Sequence, residues 1–223
     1  MGESMSVPVL TIDGPSGSGK GTIARLLAQR LGWHFLDSGA LYRISALAAQ
    51  RRGIDLADAD AVAEVASSLD VRFVGEDETR VLLEDEDVSL LIRSEQAGEA
   101  ASIVAAHPAV RAALLEFQRG FAQAPGLIAD GRDMGTVVFP HAPIKIYLDA
   151  SAEIRGERRY KQLNEKGVDA NLAQIIDDIR RRDERDMQRA VAPLKPAADA
   201  HRIETSFLTV EQVLAKCLAL VGG

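Results

Sequence analysis

The chain has 223 residues, 47% of them hydrophobic but only 4% aromatic, so its core must rest on Ala, Leu, Val and Ile in one large domain or a core with insertions. Its net charge of −7 argues against a nucleic-acid-binding surface and leaves room for a nucleotide, which a few placed arginines can hold. The single cysteine, Cys217, excludes an internal disulfide framework and fits a reducing cytoplasm, and no apolar run has the length of a membrane span.

At the start, Met1-Gly2 with Ser6 matches a short myristoylation pattern; we read it as a disordered lead-in, with no signal peptide. Val7 to Ile12 is an apolar, β-branched run and predicts a buried strand. It leads into Asp13-Gly14-Pro15-Ser16-Gly17-Ser18-Gly19-Lys20-Gly21-Thr22, then an amphipathic run with Ile23, Leu26, Leu27 and Leu31 at helical spacing. Strand, glycine turn, Lys and helix in that order is the setting of a phosphate-binding P-loop. Glycines let successive amides turn inward, while the helix N-terminus and Lys20 add positive charge. Gly21 stands where the general pattern has Ser or Thr, so the usual hydroxyl ligand for Mg²⁺ is displaced to Thr22.

Trp33 to Asp37 reads as a second strand, followed by Ser38-Gly39 and a helix over about 40–52. Arg43 in its first turn is electrostatically awkward, which fits either an anionic ligand or a solvated arginine. A short Ala-rich helix is expected over 55–70. Then Val71–Val74, Arg80–Glu84 and Val88–Ile92 read as an antiparallel meander, with acidic turns at 75–78 and 85–87. Helices are expected from Ser94 to about Ala106 and from Pro108 to Phe121. Strands are expected over Gly126–Asp130 and Pro143–Asp149. An arginine-dense helix from Ser151 carries Arg155, Arg158 and Arg159 and breaks at 164–167. A second runs from about Leu172 to Arg189, Arg202–Glu204 is a last strand, and Thr209 with Gln212 forms a capping box for a final helix to Val221. The fold class is therefore α/β: a P-loop-type parallel sheet flanked by helices, with a small antiparallel insertion and a helical lid.

Three apolar strands end in Asp13-Gly14, Asp37-Ser38-Gly39 and Asp130-Gly131-Arg132-Asp133. Ligand sites of parallel α/β sheets lie outside the carboxyl ends of the strands, so these loops are expected on one crevice. Arg132-Asp133 is either part of that site or a salt bridge closing a turn. On the late helix, Ile175 and Ile179 start an inward stripe that continues to Arg182, Asp186 and Arg189, with Arg185 beside it. Inward arginines need anionic partners, unless the helix has left the core and the charges are solvated pairs. With Arg43, Arg132, Arg155 and Arg158, the arrangement suits in-line phosphoryl transfer between two phosphate-bearing molecules, with the helix ended by Gly167 as a closing lid. There is no Ser-His-Asp or Cys-His set, and the four histidines do not form a metal site.

The stretches Asp13–Thr22, Leu36–Arg43, Ile128–Thr136 and Arg182–Arg189, in this order over almost the whole chain, resemble the bacterial cytidylate kinases, whose enlarged nucleotide-binding region matches the insertion at about 70–92. The resemblance implies a core of residues 1–37, 126–154 and 168–223, a monophosphate-binding region 38–125 and a lid 155–167. It implies ATP and Mg²⁺ as cofactors and CMP or dCMP as acceptor. The backbone and side chains of Gly14 to Thr22 with Lys20 would bind ATP, and Arg43 and Arg132 the CMP phosphate. Ser38, Ser102, Arg111 and Asp133 would surround the cytosine, Arg182 and Asp186 the pentose. Arg189 would bridge acceptor and reaction centre, and Arg155, Arg158 and Arg159 would belong to the lid. Lys20, Arg132, Arg155, Arg158 and Arg189 form the implied catalytic set, with no metal ligand assigned. Small nucleotides are the expected partners, with no nucleic acid and no membrane, and the small acidic chain is expected to be a cytoplasmic monomer. The alternatives are a kinase for UMP, AMP or shikimate, and a non-catalytic nucleotide-dependent switch.

Overall fold

The computed structural model describes residues 7–74, 80–165 and 167–222. The lead-in at 1–6, the first acidic turn at 75–78 and Lys166 of the expected helix break lie outside the described residues. The chain divides into two units: the residues up to His34 together with Ala122 onward, and Phe35–Phe121.

β1 (Val9–Asp13) is buried at every position, as an uninterrupted apolar run in a parallel sheet must be. α1 (Lys20–Leu31) ends at Gly32, whose φ of 65° is the left-handed stop that glycine makes cheap. β2 (His34–Asp37) carries the chain out of the first unit. α2 (Ser38–Arg51) begins two residues before the expected start, because the Asp37 carboxylate accepts the Ala40 N–H and caps the helix there. Ser38 is thus a helical residue and not a loop one. α3 (Ala59–Ser67) is shorter than expected, since Asp58 caps it and leaves 55–58 as a turn.

The meander corrects one expectation. β3 (Val71–Val74) pairs antiparallel with β4 (Arg80–Leu83), but the third strand is β5 (Glu86–Asp87), not Val88–Ile92. Glu84 and Asp85 both take positive φ, 51° and 66°, so the chain reverses in two residues and Leu83 faces Glu86 directly. Val88 and Ile92 instead bury themselves with Ile44, Val65, Val81 and Leu83 in the second unit's core, and Leu91–Arg93 is a 3₁₀ turn. α4 (Glu95–Val104) is capped by Ser94, and α5 (Pro108–Arg119) opens on a proline whose missing N–H costs a helix nothing at that position.

Back in the first unit come β6 (Leu127–Gly131), a π-helical turn at Met134–Val138, and β7 (Ile144–Asp149). Then follow α6 (Ala152–Glu165), α7 (Leu172–Gln188), β8 (His201–Glu204) and α8 (Val210–Val221). The sheet order is β2-β6-β1-β7-β8, with β1 parallel to both β6 and β7, and β7 parallel to β8. This is the parallel α/β architecture expected. Asp13 stands level with Gly131 on one side and Tyr147 on the other, so the loops after β1 and β6 leave the sheet at the same edge. Cys217 is fully buried on α8, where burial pushes its thiol up to about 11 and keeps it inert. No single helix among the described residues is long and apolar enough to cross a membrane.

The Thr209–Gln212 capping box forms as the sequence predicts, each side chain taking the other residue's backbone N–H. Thr209→Ala should cost about 1 kcal/mol, read as a lower urea midpoint at unchanged m-value.

Candidate active site

The turn after β1 needs its glycines. A β-carbon at Gly14 would lie 2.1 Å from the Leu148 carbonyl oxygen, so β7 can pass this close only to glycine. Gly17 and Gly19 take φ of 79° and 90°. Gly19 is the N-cap of α1 and makes no side-chain hydrogen bond there, the kind of helix start at which anions bind. Lys20, almost fully buried, folds back and donates to the Pro15 carbonyl at 3.1 Å.

Side chains from distant elements hold this turn by its carbonyls. Arg155 on α6 donates to Ser16 O at 2.9 Å and to Ala150 O at 2.8 Å, and its guanidinium forms a two-pronged pair with Asp183 on α7. Both residues are buried. Arg182 reaches Ser16 Oγ at 3.5 Å. Thr205, just past β8, places its hydroxyl within 3.1 Å of Ser18 O and 2.9 Å of Asp149 O, while Arg158 donates to Thr205 O at 2.6 Å. Arg155 and Arg158, expected on a lid, are therefore tied to the turn and to the end of β8. A cavity of about 510 Å³ opens over α1's N-terminus, walled by Gly17 to Ile23, Arg155, Arg158, Arg159, Gln162, Thr205, Leu208, Thr209, Val210 and Val213. The sequence reading missed its far wall: Gln162, Thr205, Leu208, Thr209, Val210 and Val213 come from three elements and share no motif.

Beside this turn stands a buried charge cluster. Arg132 Nε donates to Asp186 Oδ2 at 2.5 Å, so Arg132 pairs across to α7 rather than with its neighbour Asp133. Burial opposes the charge on Arg132, yet Asp186, Asp130 and Asp183 outweigh it and hold its pKa above the ordinary value. Burial likewise pushes Asp186 up, but Arg132, Arg189 and Arg182 overcome it and leave its pKa below the ordinary value. Arg189 is buried and donates to Ala192 O at 2.6 Å. Of the stripe expected on α7, Asp186 and Arg189 are buried, with Asp183 beside them, and are not solvated pairs, whereas Ile175, Ile179, Arg182 and Arg185 are half-buried. Asp183, three residues before Asp186 on the same face, was legible from helical spacing and overlooked. Asp133 is also buried. Asp13 accepts the Met134 and Gly135 amides, each at 2.8 Å; burial raises its pKa to about 7 against those two bonds, with Asp133 and Asp130 adding to the rise.

The second unit holds the remaining predicted residues. Ser38 on α2 donates to Gln118 Oε1 on α5 at 2.8 Å. Arg43 is half-buried and donates to the carbonyls of Ile92 and Ser94 at 2.7 and 3.2 Å, joining α2 to the turn that precedes α4. Arg111 on α5 donates to Ala105 O at 3.1 Å and lies over the Tyr42 ring, 5.3 Å from its centroid. Ser102 is buried on α4. None of the four is a loosely solvated surface group.

A family model described as cytidylate kinase matches residues 10–222. A cytidylate kinase from Pseudomonas entomophila (strain L48) is 58% identical over 216 residues, covering 96% of this chain and 95% of that one. One from Methylococcus capsulatus (strain ATCC 33009 / NCIMB 11132 / Bath) is 56% identical over 216 residues, covering 97% of each. Among solved structures, shikimate kinase from Bacteroides thetaiotaomicron aligns with a TM-score of 0.48 at 11% identity, covering 98% of this chain and 100% of that one.

The Arg155–Asp183 pair is open to a double-mutant cycle. Arg155→Met alone leaves Asp183 buried without its cation and should cost about 3–5 kcal/mol, while adding Asp183→Leu should recover more than half of it, both read by urea unfolding.

Proposed function

The chain belongs to the cytidylate kinase family, and from that premise we infer that it transfers the γ-phosphoryl group of ATP to the phosphate of CMP or dCMP. An acceptor phosphate oxygen forms a bond to the γ-phosphorus as the bond to the β–γ bridging oxygen breaks, giving ADP and CDP or dCDP. Such a transfer asks little covalent chemistry of the protein; it asks for alignment, exclusion of water and positive charge around the moving group.

The observation that carries this reading is a row of charged and polar side chains, each within contact or electrostatic reach of the next. It runs from Ser16 in the glycine turn through Arg182 and Asp186 to Arg132. The turn read as holding the donor phosphates and the guanidinium read as holding the acceptor thus belong to one unit. In our reading the amides of Gly14 to Thr22 and Lys20 take the ATP phosphates. The cavity wall of Leu208, Val210 and Val213 suits the apolar faces of the nucleoside. Arg132 and Arg43 hold the CMP phosphate. Ser38, Ser102, Arg111 and Asp133 read the cytosine, Arg182 and Asp186 face the pentose, and Arg189 spans acceptor and transferring group. Arg155 and Arg158 act by fixing the turn and the pocket wall. The enzyme works as a cytoplasmic monomer in this reading.

Mg²⁺ fits these residues on one condition. Gly21 offers no hydroxyl, whereas Thr22 is exposed and lines the cavity. Among the described residues no three His, Cys, Asp or Glu side chains gather to hold an ion by themselves. The ion would therefore be held by the nucleotide phosphates, water and Thr22, and it supplies charge neutralisation of the phosphates when bound.

Supplying ATP and Mg²⁺ with CMP, dCMP, UMP, AMP or shikimate separately, and following ADP release, tests the assignment. Fast turnover is expected with CMP and dCMP and little with AMP or shikimate. Equal activity on UMP, or none on CMP, would sink it, and ADP release needing no acceptor would favour a switch. Arg132→Ala should lower kcat by about two or more orders of magnitude, because phosphate orientation counts mainly in the transition state.

A further inference from the structure

Asp13 ends β1 and immediately precedes the glycine turn. In the reading above it touches neither a phosphate nor a base. Its two carboxylate oxygens are committed to backbone: Oδ1 accepts from Met134 N and Oδ2 from Gly135 N, both at 2.8 Å. Those amides begin the π-helical turn directly after Arg132 and Asp133. One side chain therefore fastens the root of the donor turn to the loop that carries the acceptor residues, 121 and 122 residues further along the chain.

The join leaves no slack. A β-carbon on Gly135 would stand 2.8 Å from Thr11 Oγ1 and 3.1 Å from Lys145 Cδ, so the turn lies hard against β1 and β7. Only an ionised carboxylate accepts fully at both oxygens. An amide side chain of the same size accepts at one and presents an N–H at the other, facing a backbone donor.

We propose that Asp13 is a positioning residue for phosphoryl transfer, setting where Arg132 and Asp133 stand relative to the turn that holds the donor phosphates. This rests on the nucleotide-kinase reading above. The groups facing Asp13 are Asp130 and Asp133 from the β6 side and Tyr147 from β7. The two carboxylates disfavour its charge, and burial does so more strongly. Its pKa of about 7 places the two-amide grip at the edge of neutral pH. As pH falls through that value the carboxyl gains a proton and one amide loses its full acceptor, so the rate should fall with it.

The test compares wild type with Asp13→Asn at saturating ATP and CMP. With the wild type active, kcat should drop about tenfold or more while KM for ATP stays within about threefold. The wild-type loss of kcat as pH falls through about 7 should be missing from the variant's profile. A folded variant with kcat within about twofold of wild type overturns the proposal, whatever its Tm. A wild type inactive on CMP overturns the functional reading and this inference with it. If Asp13→Asn does not fold, NMR of the wild type decides. The Met134 and Gly135 amide resonances should titrate together, with the midpoint of the acid limb in kcat; amides that do not, or a different midpoint, overturn it.

Discussion

A buried guanidinium cannot stand without a counter-charge, and α7 is built around that constraint. Asp183 and Asp186 lie three residues apart on its inner face, so one helix serves Arg155 from α6 and Arg132 from the loop after β6. For Arg155 the backbone must come close as well. A β-carbon at Gly156 would sit 2.4 Å from Ile176 Cγ1, so the residue beside Arg155 has to be glycine for α6 to lie against α7. That approach lets a side chain rooted on α6 span Asp183 and the Ser16 carbonyl at once. The glycine turn, which has few side chains of its own, is thereby held from behind through its carbonyls.

The same economy appears at Thr205 and Asp13. Thr205 sets one hydroxyl between the carbonyls of Ser18 and Asp149 and receives Arg158 from above, knotting β7, the glycine turn and α6 at the cavity's edge. Asp13 does the corresponding work at the turn's root and carries a cost. A carboxyl whose folded pKa is raised from 3.8 to about 7 binds more protons folded than unfolded across that window, so it makes the fold less stable as pH rises through it. The ionised form is tolerated for what it holds in place. This is how strain and charge tend to be distributed at functional sites, with the burden carried by the scaffold around them.

Much of this was legible in the sequence because it is encoded locally. The glycine turn, its strand and helix, the capping box and the inward stripe of α7 each declare themselves within a few residues by spacing and residue type. The third meander strand did not, because Glu84 and Asp85 adopt a turn geometry in which Asn-Gly is the familiar signal. The apolar run Val88–Ile92 looked more like a strand than the acidic pair that forms one. The partners of Arg132, Arg155 and Asp13 were beyond sequence reasoning for another reason. They lie 54, 28 and 121 residues away, and nothing local distinguishes Asp186 from Asp133 as the carboxylate Arg132 meets. The cavity's far wall is ordinary threonine, leucine and valine, whose role comes only from the order β1-β7-β8.

The glycine after Lys20 sits where a side chain would meet the acid that ends β6's apolar run. β1 and β6 run in register with Ile12 opposite Asp130, which brings Asp130 alongside the start of α1. A β-carbon at position 21 would already press on Asp130 Oδ2 at 3.2 Å, and the hydroxyl or methyl of Ser or Thr would extend further still. Residue 21 can carry a side chain only if the carboxylate gives way, and that carboxylate is part of the field that keeps Arg132 charged. A side chain at 21 would thus act on the acid at 130 directly, pushing its carboxylate aside by a few tenths of an ångström. The hydroxyl of the general motif moves one residue on, to Thr22, which α1 turns toward the cavity instead of into the sheet.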